Sequence, residues 1–283
     1  MKEFTFKDQV AVVTGAGGTL CSVIAKELAR RGSKIALLGR SVEKLQPVAD
    51  EITAAGGTAL VIPTDVIDVD QVEKACVEIT EKLGACRFLI NGAGGNQAVA
   101  CTSTTAYDER ELSDDKPEDM RGFFDLDMAA VDSVIKTNTI GTILPSQVFG
   151  REMARLGRGS ILNFASMTSY RPLTRVPAYA AAKAGVINFT QWLSVYLAPA
   201  GIRVNGVAPG FFINDRSRKI LMTPDGGLSS RGECVMAHTP QREFGEAKDL
   251  LGCVCWLLND DQAKFVTGIT VPVDGGFLAA TGV

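Results

Sequence analysis

Histidine is almost absent from this 283-residue chain, which contains a single one, His238. A zinc site or a Ser-His-Asp triad therefore has little to draw on. The seven cysteines form no Cys-x-x-Cys pair, and an odd number of cysteines among apolar neighbours favours buried free thiols over disulfides or a metal site. We expect no metal.

Three further absences narrow the class of protein. No apolar run approaches the ~20 residues that cross a bilayer, and the start of the chain lacks a signal-peptide core, so we expect no membrane and a cytoplasmic location. The 29 basic and 32 acidic side chains are interspersed and leave a formal net charge of −3, which does not favour a nucleic-acid partner. No repeat or Pro/Ser-rich linker divides the chain, so residues 1–283 are predicted to form a single domain.

What is present is a regular alternation of apolar, β-rich runs and helix-sized segments. The predicted strands are Val10–Thr14, Lys34–Leu38, Ala59–Pro63, Phe88–Asn91, Ser160–Phe164, Arg203–Ala208 and Thr270–Val273. The predicted helices are Ser22–Arg31, Val42–Ala55, Val69–Leu83, Val131–Leu156, Ala178–Leu197 and Ala247–Leu258. Such an alternation predicts an α/β fold with a doubly wound, Rossmann-like parallel sheet. Ligands of this fold bind beyond the carboxyl ends of the strands.

Two long segments interrupt the alternation, each after the carboxyl end of a strand. Residues 95–128 are predicted to form an acidic loop or short helices, and residues 211–240 form a second segment that is basic in its first half. Loops of this length are usually functional or disordered. We expect them to cover a substrate, so that an enlarged loop lies over the active site; the alternative is a surface excursion.

A glycine-rich turn follows the first strand, in the run Thr14-Gly-Ala-Gly-Gly-Thr-Leu-Cys21. Small residues between a strand and a helix let the main chain approach a pyrophosphate, which then lies at the helix N-terminus. Alone, this is a weak signal that a tight turn without a ligand would also produce. Its position in the first βαβ unit favours a dinucleotide site.

The end of the second strand bears on the choice of dinucleotide. An NAD-binding fold usually has a carboxylate there for the ribose 2′-hydroxyl, whereas this chain has Gly39 followed by Arg40. Because a guanidinium suits a 2′-phosphate, NADP(H) is predicted to be preferred, and NAD(H) stays open. The alternative is that Arg40 stacks on the adenine or faces solvent.

A serine, a tyrosine and a lysine carry the most information. Ser166 follows a predicted strand, and Tyr179 and Lys183 are four residues apart, so the phenol and the ammonium share one face of a helix. A nearby ammonium favours the phenolate and lowers the tyrosine pKa from ~10. The serine hydroxyl can polarise a carbonyl group. The three residues predict acid–base chemistry on a carbonyl or an alcohol.

With these motifs in order over nearly its whole length, the chain resembles the short-chain dehydrogenase/reductase family. The shared motifs are Thr14-Gly15, Asp65-Val66, Asn91-Gly-Ala-Gly94, Asn138, Ser166, Tyr179-x-x-x-Lys183, Pro209-Gly210 and Val273-Asp-Gly-Gly276. The resemblance implies that Tyr179 is the acid/base and that Ser166 orients the substrate. It also implies that Lys183 binds the nicotinamide ribose and that Asn138 holds a water for proton relay. A homo-oligomer, commonly a tetramer, is expected.

The same resemblance implies the residues that bind the cofactor. They are Gly15, Gly17, Gly18, Thr19, Leu20, Arg40, Asp65, Val66, Asn91, Gly92, Ala93, Gly94, Tyr179, Lys183, Pro209, Gly210 and Phe212. The chain departs from the family where Thr19 and Cys21 replace glycines, so we expect a looser fit around the pyrophosphate. Asn214 replaces the threonine that caps the nicotinamide amide, and it can still supply an amide hydrogen bond.

Within the family, the chain resembles the bacterial D-mannonate oxidoreductases (fructuronate reductases). The shared features are Leu20-Cys21-Ser22, Asn91-Gly-Ala-Gly-Gly-Asn96, the enlarged segment that follows, and Ala208-Pro-Gly-Phe-Phe212. This resemblance implies a small-molecule substrate, a keto-sugar acid that is reduced to an aldonate. Its hydroxyls need hydrogen-bond partners and its carboxylate needs a cation. The candidates are Asn96, Gln97, Arg171 and Arg175, and then Arg216, Arg218 and Lys219.

Two other functions stay open. One is the reduction of another polar ketone, such as a keto-gluconate or a 3-oxoacyl thioester, although the acidic segment disfavours docking of an acidic carrier protein. The other is dinucleotide sensing without catalysis, which the presence of both Tyr179 and Lys183 disfavours.

Overall fold

Seven parallel strands form one sheet in the computed structural model, which describes residues 5–280 apart from the side chains of residues 215 and 216. The strands are β1 (Val10–Thr14), β2 (Lys34–Gly39), β3 (Thr58–Pro63), β4 (Cys86–Asn91), β5 (Gly159–Phe164), β6 (Ile202–Pro209) and β7 (Thr270–Val273). Their order in the sheet is β3-β2-β1-β4-β5-β6-β7. The strand order reverses between β1 and β4, which is where such sheets bind ligands. The predicted doubly wound, Rossmann-like α/β fold is confirmed.

Helices cover both faces of this sheet. They are α1 (Thr19–Arg30), α2 (Val42–Ala54), α3 (Val69–Lys82), α4 (Met128–Ile135), α5 (Gly141–Leu156), α6 (Pro177–Leu197), α7 (Asp215–Leu221), α8 (Ser230–His238), α9 (Leu251–Leu258) and α10 (Asp260–Ala263). Strand β1 needs both layers because its side chains alternate between them. Ala11 and Val13 pack into a core with α1 and α9, whereas Val10 and Val12 pack into a second core with α3 and α5.

The predicted strands are confirmed to within two residues at each end. The prediction of one continuous helix over Val131–Leu156 is wrong, because a π-helical turn at Lys136–Ile140 separates α4 from α5. Such a turn inserts one residue into the helical spiral, often at a functional site, and hydrophobic spacing does not reveal it. That residues 1–283 form a single domain stays a prediction.

Residues 95–128, called the insertion from here on, contain three short 3-10 helices, at Ala98–Ala100, Glu109–Leu112 and Phe123–Asp125. The main-chain N–H of Ser103 donates to the carbonyl of Arg121 at 2.8 Å, and the N–H of Arg121 donates to the Ser103 hydroxyl at 2.8 Å. The outer part of the insertion is therefore closed at its base. The second segment, residues 211–240, contains α7 and α8.

Within residues 5–280, no helix is long and apolar enough to cross a membrane. Over the same range, no group of three or more His, Cys, Asp or Glu side chains is arranged to hold a metal ion.

Candidate active site

The glycine-rich turn brings the ends of β1 and β4 into contact. Gly15 has a left-handed φ of +65°, and a Cβ at this position would lie 2.8 Å from Cα of Ala93, so only glycine fits without strain. The Thr14 hydroxyl accepts hydrogen bonds from the main-chain N–H groups of Gly92 and Ala93, both at 3.1 Å. These contacts leave a cleft with a main-chain floor at the carboxyl edge of the sheet.

A cavity of about 280 Å³ occupies this cleft. Eight of the predicted cofactor residues line it: Gly15, Gly17, Gly18, Arg40, Asp65, Val66, Ala93 and Gly94. Its other lining residues are Gly39, which the sequence analysis considered for the choice of dinucleotide, and Ser41, Lys44, Leu45, Thr64 and Thr137, which it missed. Lys44 could have been found, because it lies in the first turn of the predicted helix Val42–Ala55, shortly after Arg40. The glycine floor and the two cations at one end fit a dinucleotide with its phosphates.

Cys21 is accommodated by Gly92, and the looser fit around the pyrophosphate stays a prediction. The thiol is buried, 4% exposed, and its sulfur occupies the space that a side chain at position 92 would fill. A Cβ on Gly92 would collide with Cys21 Sγ. Burial raises the pKa of the Cys21 thiol to about 12, so the group is neutral near pH 7. The two positions together keep α1 close to β4.

Two predicted cofactor residues point their side chains away from the cavity. Asn91 is buried between strands and helices, where its amide donates to the Ser146 hydroxyl at 2.8 Å and to Oδ1 of Asn163 at 2.9 Å. Phe212 packs into the hydrophobic core and against Gly245. A role for either residue at the cofactor is therefore limited to its main chain.

Four further predicted cofactor residues do not line this cavity. Thr19 and Leu20 form the first turn of α1, and Pro209 ends β6. Gly210 follows Pro209 and lies so close to Asp274 that a Cβ would come within 2.6 Å of its Cα. Oδ1 of Asn214 accepts from the N–H of Ser217 at 2.9 Å, so this oxygen is engaged at the start of α7.

Lys183 is buried beneath the cleft, with 4% of its surface exposed. Its Nζ donates to the carbonyl of Phe164 at 2.6 Å and lies 5.8 Å from the centre of the Tyr179 ring. Burial lowers the pKa of Lys183 to about 8, against a smaller opposing effect of Cys21. The ammonium is thus charged near pH 7, beside the phenol.

Ser166 is linked to Lys183 through a residue that the sequence analysis missed, Ser169. The main-chain N–H of Ser166 donates to the Ser169 hydroxyl at 3.2 Å, and that hydroxyl donates to the Lys183 carbonyl at 2.8 Å. The Ser166 hydroxyl oxygen accepts from the N–H of Thr168 at 3.2 Å, so its proton is available to another acceptor. The Ser-x-x-Ser spacing is a helix-start signal that could have revealed this turn.

Asn138 lies in the π-helical turn and is fully buried. Its side-chain amide donates to the carbonyls of Gly95 and Val134 at 2.7 and 2.8 Å. A Cβ on Gly94 would lie 2.5 Å from Asn138 Oδ1 and 3.3 Å from Lys183 Nζ. Asn138, Lys183 and the end of β4 therefore meet at Gly94, while Tyr179 packs beside Ala178 and Ala100 of the insertion.

The two amide candidates for substrate binding lie where the insertion begins. Asn96 donates from its side-chain amide to Cys101 Sγ at 3.2 Å and accepts from the N–H of Gln97 at 2.9 Å. Gln97 is exposed, and its side-chain amide donates to the Ser133 hydroxyl at 2.9 Å. Both side chains shape the insertion, so substrate contact requires groups that these bonds leave available.

The arginine candidates differ in what they already bind. Arg171 is exposed and donates to the carbonyl of Ala280 at 2.9 Å. The guanidinium of Arg175 is exposed and has no hydrogen bond or ion pair within residues 5–280. Arg218 and Lys219 are exposed in α7, whereas the side chain of Arg216 lies outside the described residues.

Comparison with known proteins gives consistent matches. Residues 9–223 match the model of the short chain dehydrogenase family. The chain is 46% identical to UxuB of Bacillus subtilis (strain 168), an uncharacterised oxidoreductase, over 97% of this chain and 96% of that protein.

Two solved structures share the fold along nearly their whole length. One, from Haemophilus influenzae, is provisionally described as a D-mannonate oxidoreductase and has bound NAD; its TM-score is 0.93 and its identity 39%, covering 99% of this chain and 98% of that chain. The other is a gluconate 5-dehydrogenase from Burkholderia cenocepacia J2315 in complex with NADP and tartrate. Its TM-score is 0.81 and its identity 25%, covering 98% of both chains.

Proposed function

The chain belongs to the short-chain dehydrogenase/reductase family and is an NAD(P)-dependent oxidoreductase, and we propose that it interconverts a keto-sugar acid and its hydroxy acid. The proposed substrate pair is D-fructuronate and D-mannonate. The likeness to the Haemophilus protein, at a TM-score of 0.93 over 99% of the chain, carries this proposal. The enlarged insertion beside Tyr179 supports it, because a polar substrate needs hydrogen-bonding groups beyond the sheet.

The proposed chemistry divides among four side chains, and the bound nicotinamide dinucleotide supplies or accepts the hydride. The Tyr179 hydroxyl gives a proton to the carbonyl oxygen during reduction, and the Tyr179 phenolate takes that proton from the alcohol during oxidation. The Ser166 hydroxyl donates to the same oxygen, since its own oxygen already accepts from Thr168. Lys183 places a positive charge beside the phenol and, in our proposal, also holds the nicotinamide ribose. Asn138 is proposed to hold the water that relays the proton.

We propose that NADP(H) is preferred. The support is the absence of a carboxylate at Gly39 and the presence of Arg40 and Lys44 in the lining of the cleft, where two cations suit a 2′-phosphate. The second candidate is NAD(H), which is bound in the Haemophilus neighbour. Gly39→Asp combined with Arg40→Leu should shift the ratio of kcat/KM values from NADPH toward NADH. A wild-type enzyme that already prefers NADH would contradict the preference.

A substrate panel tests the proposed reaction. D-fructuronate, 5-keto-D-gluconate and a 3-oxoacyl thioester are each reduced with NADH and with NADPH, and consumption of the reduced cofactor is recorded. We expect the highest kcat/KM with D-fructuronate. Higher values with 5-keto-D-gluconate would favour the second candidate function, gluconate 5-dehydrogenase activity, which the Burkholderia neighbour supports. Inactivity on every ketone would favour a dinucleotide sensor.

We further propose a homo-tetramer in the cytoplasm. Apolar side chains on α6 support the assembly: Trp192, Val195 and Tyr196 are 57%, 77% and 67% exposed, which is typical of a surface that another protein covers. The seven cysteines, all free thiols, support a reducing compartment. Light scattering should give four times the chain mass of 30.0 kDa. A stable monomer would contradict the proposed assembly.

A further inference from the structure

One of the candidate arginines has an unusual main chain. Within residues 5–280, three residues other than glycine have a positive φ: Asp8 at +60°, Arg175 at +73° and Arg242 at +58°. The left-handed region costs conformational energy for any residue with a Cβ, and glycine adopts it freely. An arginine at position 175 is therefore less favourable for the backbone than a glycine would be.

Contacts on the main chain hold Arg175 in this conformation. Its carbonyl accepts a hydrogen bond from the N–H of Thr102 in the insertion at 3.0 Å. Two residues later α6 begins at Pro177, whose ring favours the first turn of a helix. The backbone of residue 175 is thus fixed by its neighbours, whereas its exposed guanidinium has no partner within the described chain.

Arg175 lies between the insertion and the proposed catalytic side chains. It lies on the segment between Ser166 and Tyr179, at the point where the insertion joins the start of α6. Thr102 follows Cys101, whose Sγ accepts a hydrogen bond from the side-chain amide of Asn96. Arg171, on the same segment, already donates to Ala280. Of these two arginines, Arg175 has the guanidinium that remains available for an anion.

We propose that Arg175 binds the carboxylate of the substrate, an inference that rests on the proposed function. A guanidinium pairs with a carboxylate through two parallel hydrogen bonds. Residues other than glycine that are held in this strained conformation cluster at active sites and ligand-binding segments. The insertion fixes the carbonyl of Arg175 and so holds the main chain from which the guanidinium extends.

Arg175→Gly separates this role from a structural one. Glycine accepts the left-handed backbone, so the melting temperature should stay the same or rise, as in the control Arg242→Gly, which makes the same change at an exposed arginine of similar φ. Loss of hydrogen bonds to a charged group should raise KM for D-fructuronate about 10- to 100-fold. With D-fructose, which has a hydroxymethyl group in place of the carboxylate, kcat/KM should change less than about twofold.

Two further variants sharpen the result. Arg175→Lys keeps the charge and should recover part of the lost affinity for D-fructuronate, whereas Arg171→Ala should have KM near the wild-type value.

In a Tyr179→Phe background, where turnover is strongly reduced, D-mannonate should raise the melting temperature of the cofactor-bound protein. Adding Arg175→Gly should abolish that rise.

Equal losses on D-fructuronate and D-fructose, or an unchanged KM for D-fructuronate, would overturn the role of Arg175. If the wild type instead reduces another keto acid, the proposed substrate fails. The same variants, compared on that acid and its neutral analogue, then decide the role of Arg175. A wild type that acts only on neutral ketones overturns both proposals.

Discussion

The cofactor side of the molecule, residues 10–91, and the insertion, residues 95–128, are built differently. On the cofactor side, strands β1 and β4 are buried on both faces and the main chain itself forms the floor of the cleft. The insertion leaves three aromatic rings exposed: Tyr107 at 61%, Phe123 at 66% and Phe124 at 65%. Exposed apolar groups of this size usually contact a ligand or another protein. The first region thus provides the floor of the cofactor cleft, and we propose that the second determines which substrate reaches the catalytic side chains.

The largest expected effect concerns the proposed acid/base, Tyr179, which lies outside both regions and packs beside Ala100 of the insertion. Tyr179→Phe removes the proposed proton donor and changes packing little. We expect kcat to fall about 100-fold or more, the scale of general acid–base catalysis, while the cofactor Kd changes little. Steady-state kinetics and a fluorescence titration with NADPH measure the two quantities.

Tyr107→Phe is the matched control, because it removes the same oxygen from an exposed tyrosine of the insertion. It should leave kcat within about twofold of the wild type. Near wild-type turnover of Tyr179→Phe would refute its assignment as the acid/base.

A shortened insertion tests the other side of the comparison. The main chains of Ser103 and Arg121 are already joined by a hydrogen bond, so a short Gly/Ser link can replace residues 104–120 without separating these two ends. If the insertion closes over a polar substrate, KM for the sugar acid should rise about 10-fold and kcat should fall, since closure orients the substrate and excludes water. The cofactor Kd should stay the same.

Asp114→Asn with Asp115→Asn is the control for the shortened insertion, because both side chains are exposed at its acidic tip. This double variant should match the wild type. Unchanged kinetics in the shortened protein would instead make the insertion a surface excursion or a contact between subunits, and the fructuronate assignment would lose support.

The same contrast explains what the sequence could predict. Alternation of apolar runs with helical spacing gave strands that match within two residues, because in a buried parallel sheet the pattern and the structure have one cause, burial. Inside the insertion, the 3-10 helices depend on local bonds such as Asp108 Oδ1 to the N–H of Arg110. No repeating pattern in the sequence predicts such hydrogen bonds.

The same contrast holds for the residues of the site. Motif residues in the main-chain floor line the cleft, since glycine is needed wherever two chain segments approach closely, as at Gly15 and Ala93. Side-chain partnerships between distant segments were missed. Two examples are the hydrogen bond from the Ser169 hydroxyl to the Lys183 carbonyl and the packing of Cys21 against Gly92. Both depend on proximity in three dimensions, which a single sequence does not reveal.

The pairing of Cys21 with Gly92 predicts a smaller effect, confined to the cofactor side. Gly92→Ala would place a methyl group where Cys21 Sγ lies, and overpacking of this kind costs about 1–3 kcal/mol of the free energy of unfolding. Adding Cys21→Ala removes the sulfur and should recover part of that loss, since the two Cβ atoms would be 3.6 Å apart. Urea unfolding of the single and double variants measures the coupling.

Gly95→Ala is the control, because a Cβ at this first residue of the insertion would meet no atom within 4 Å. Its free energy of unfolding should remain near that of the wild type. Additive losses in the Cys21/Gly92 double variant would show that the two positions do not depend on each other.

The smallest effect concerns the charge buried beneath the cleft, and its sign follows from the lowered pKa of Lys183. Burial shifts this pKa from 10.5 to about 8 in the folded protein, so between pH 8 and 10.5 the unfolded chain binds more protons than the folded one. The contribution of Lys183 to the free energy of unfolding therefore rises with pH across that window. Urea unfolding of the cofactor-free protein measures this effect. The free energy of unfolding of the wild type minus that of Lys183→Met should increase from pH 8 to 10. Lys183→Arg keeps a charge that does not titrate in this range, so its difference from Lys183→Met should stay flat. A flat difference for the wild type as well would mean that the ammonium is better solvated than its burial beneath the cleft implies.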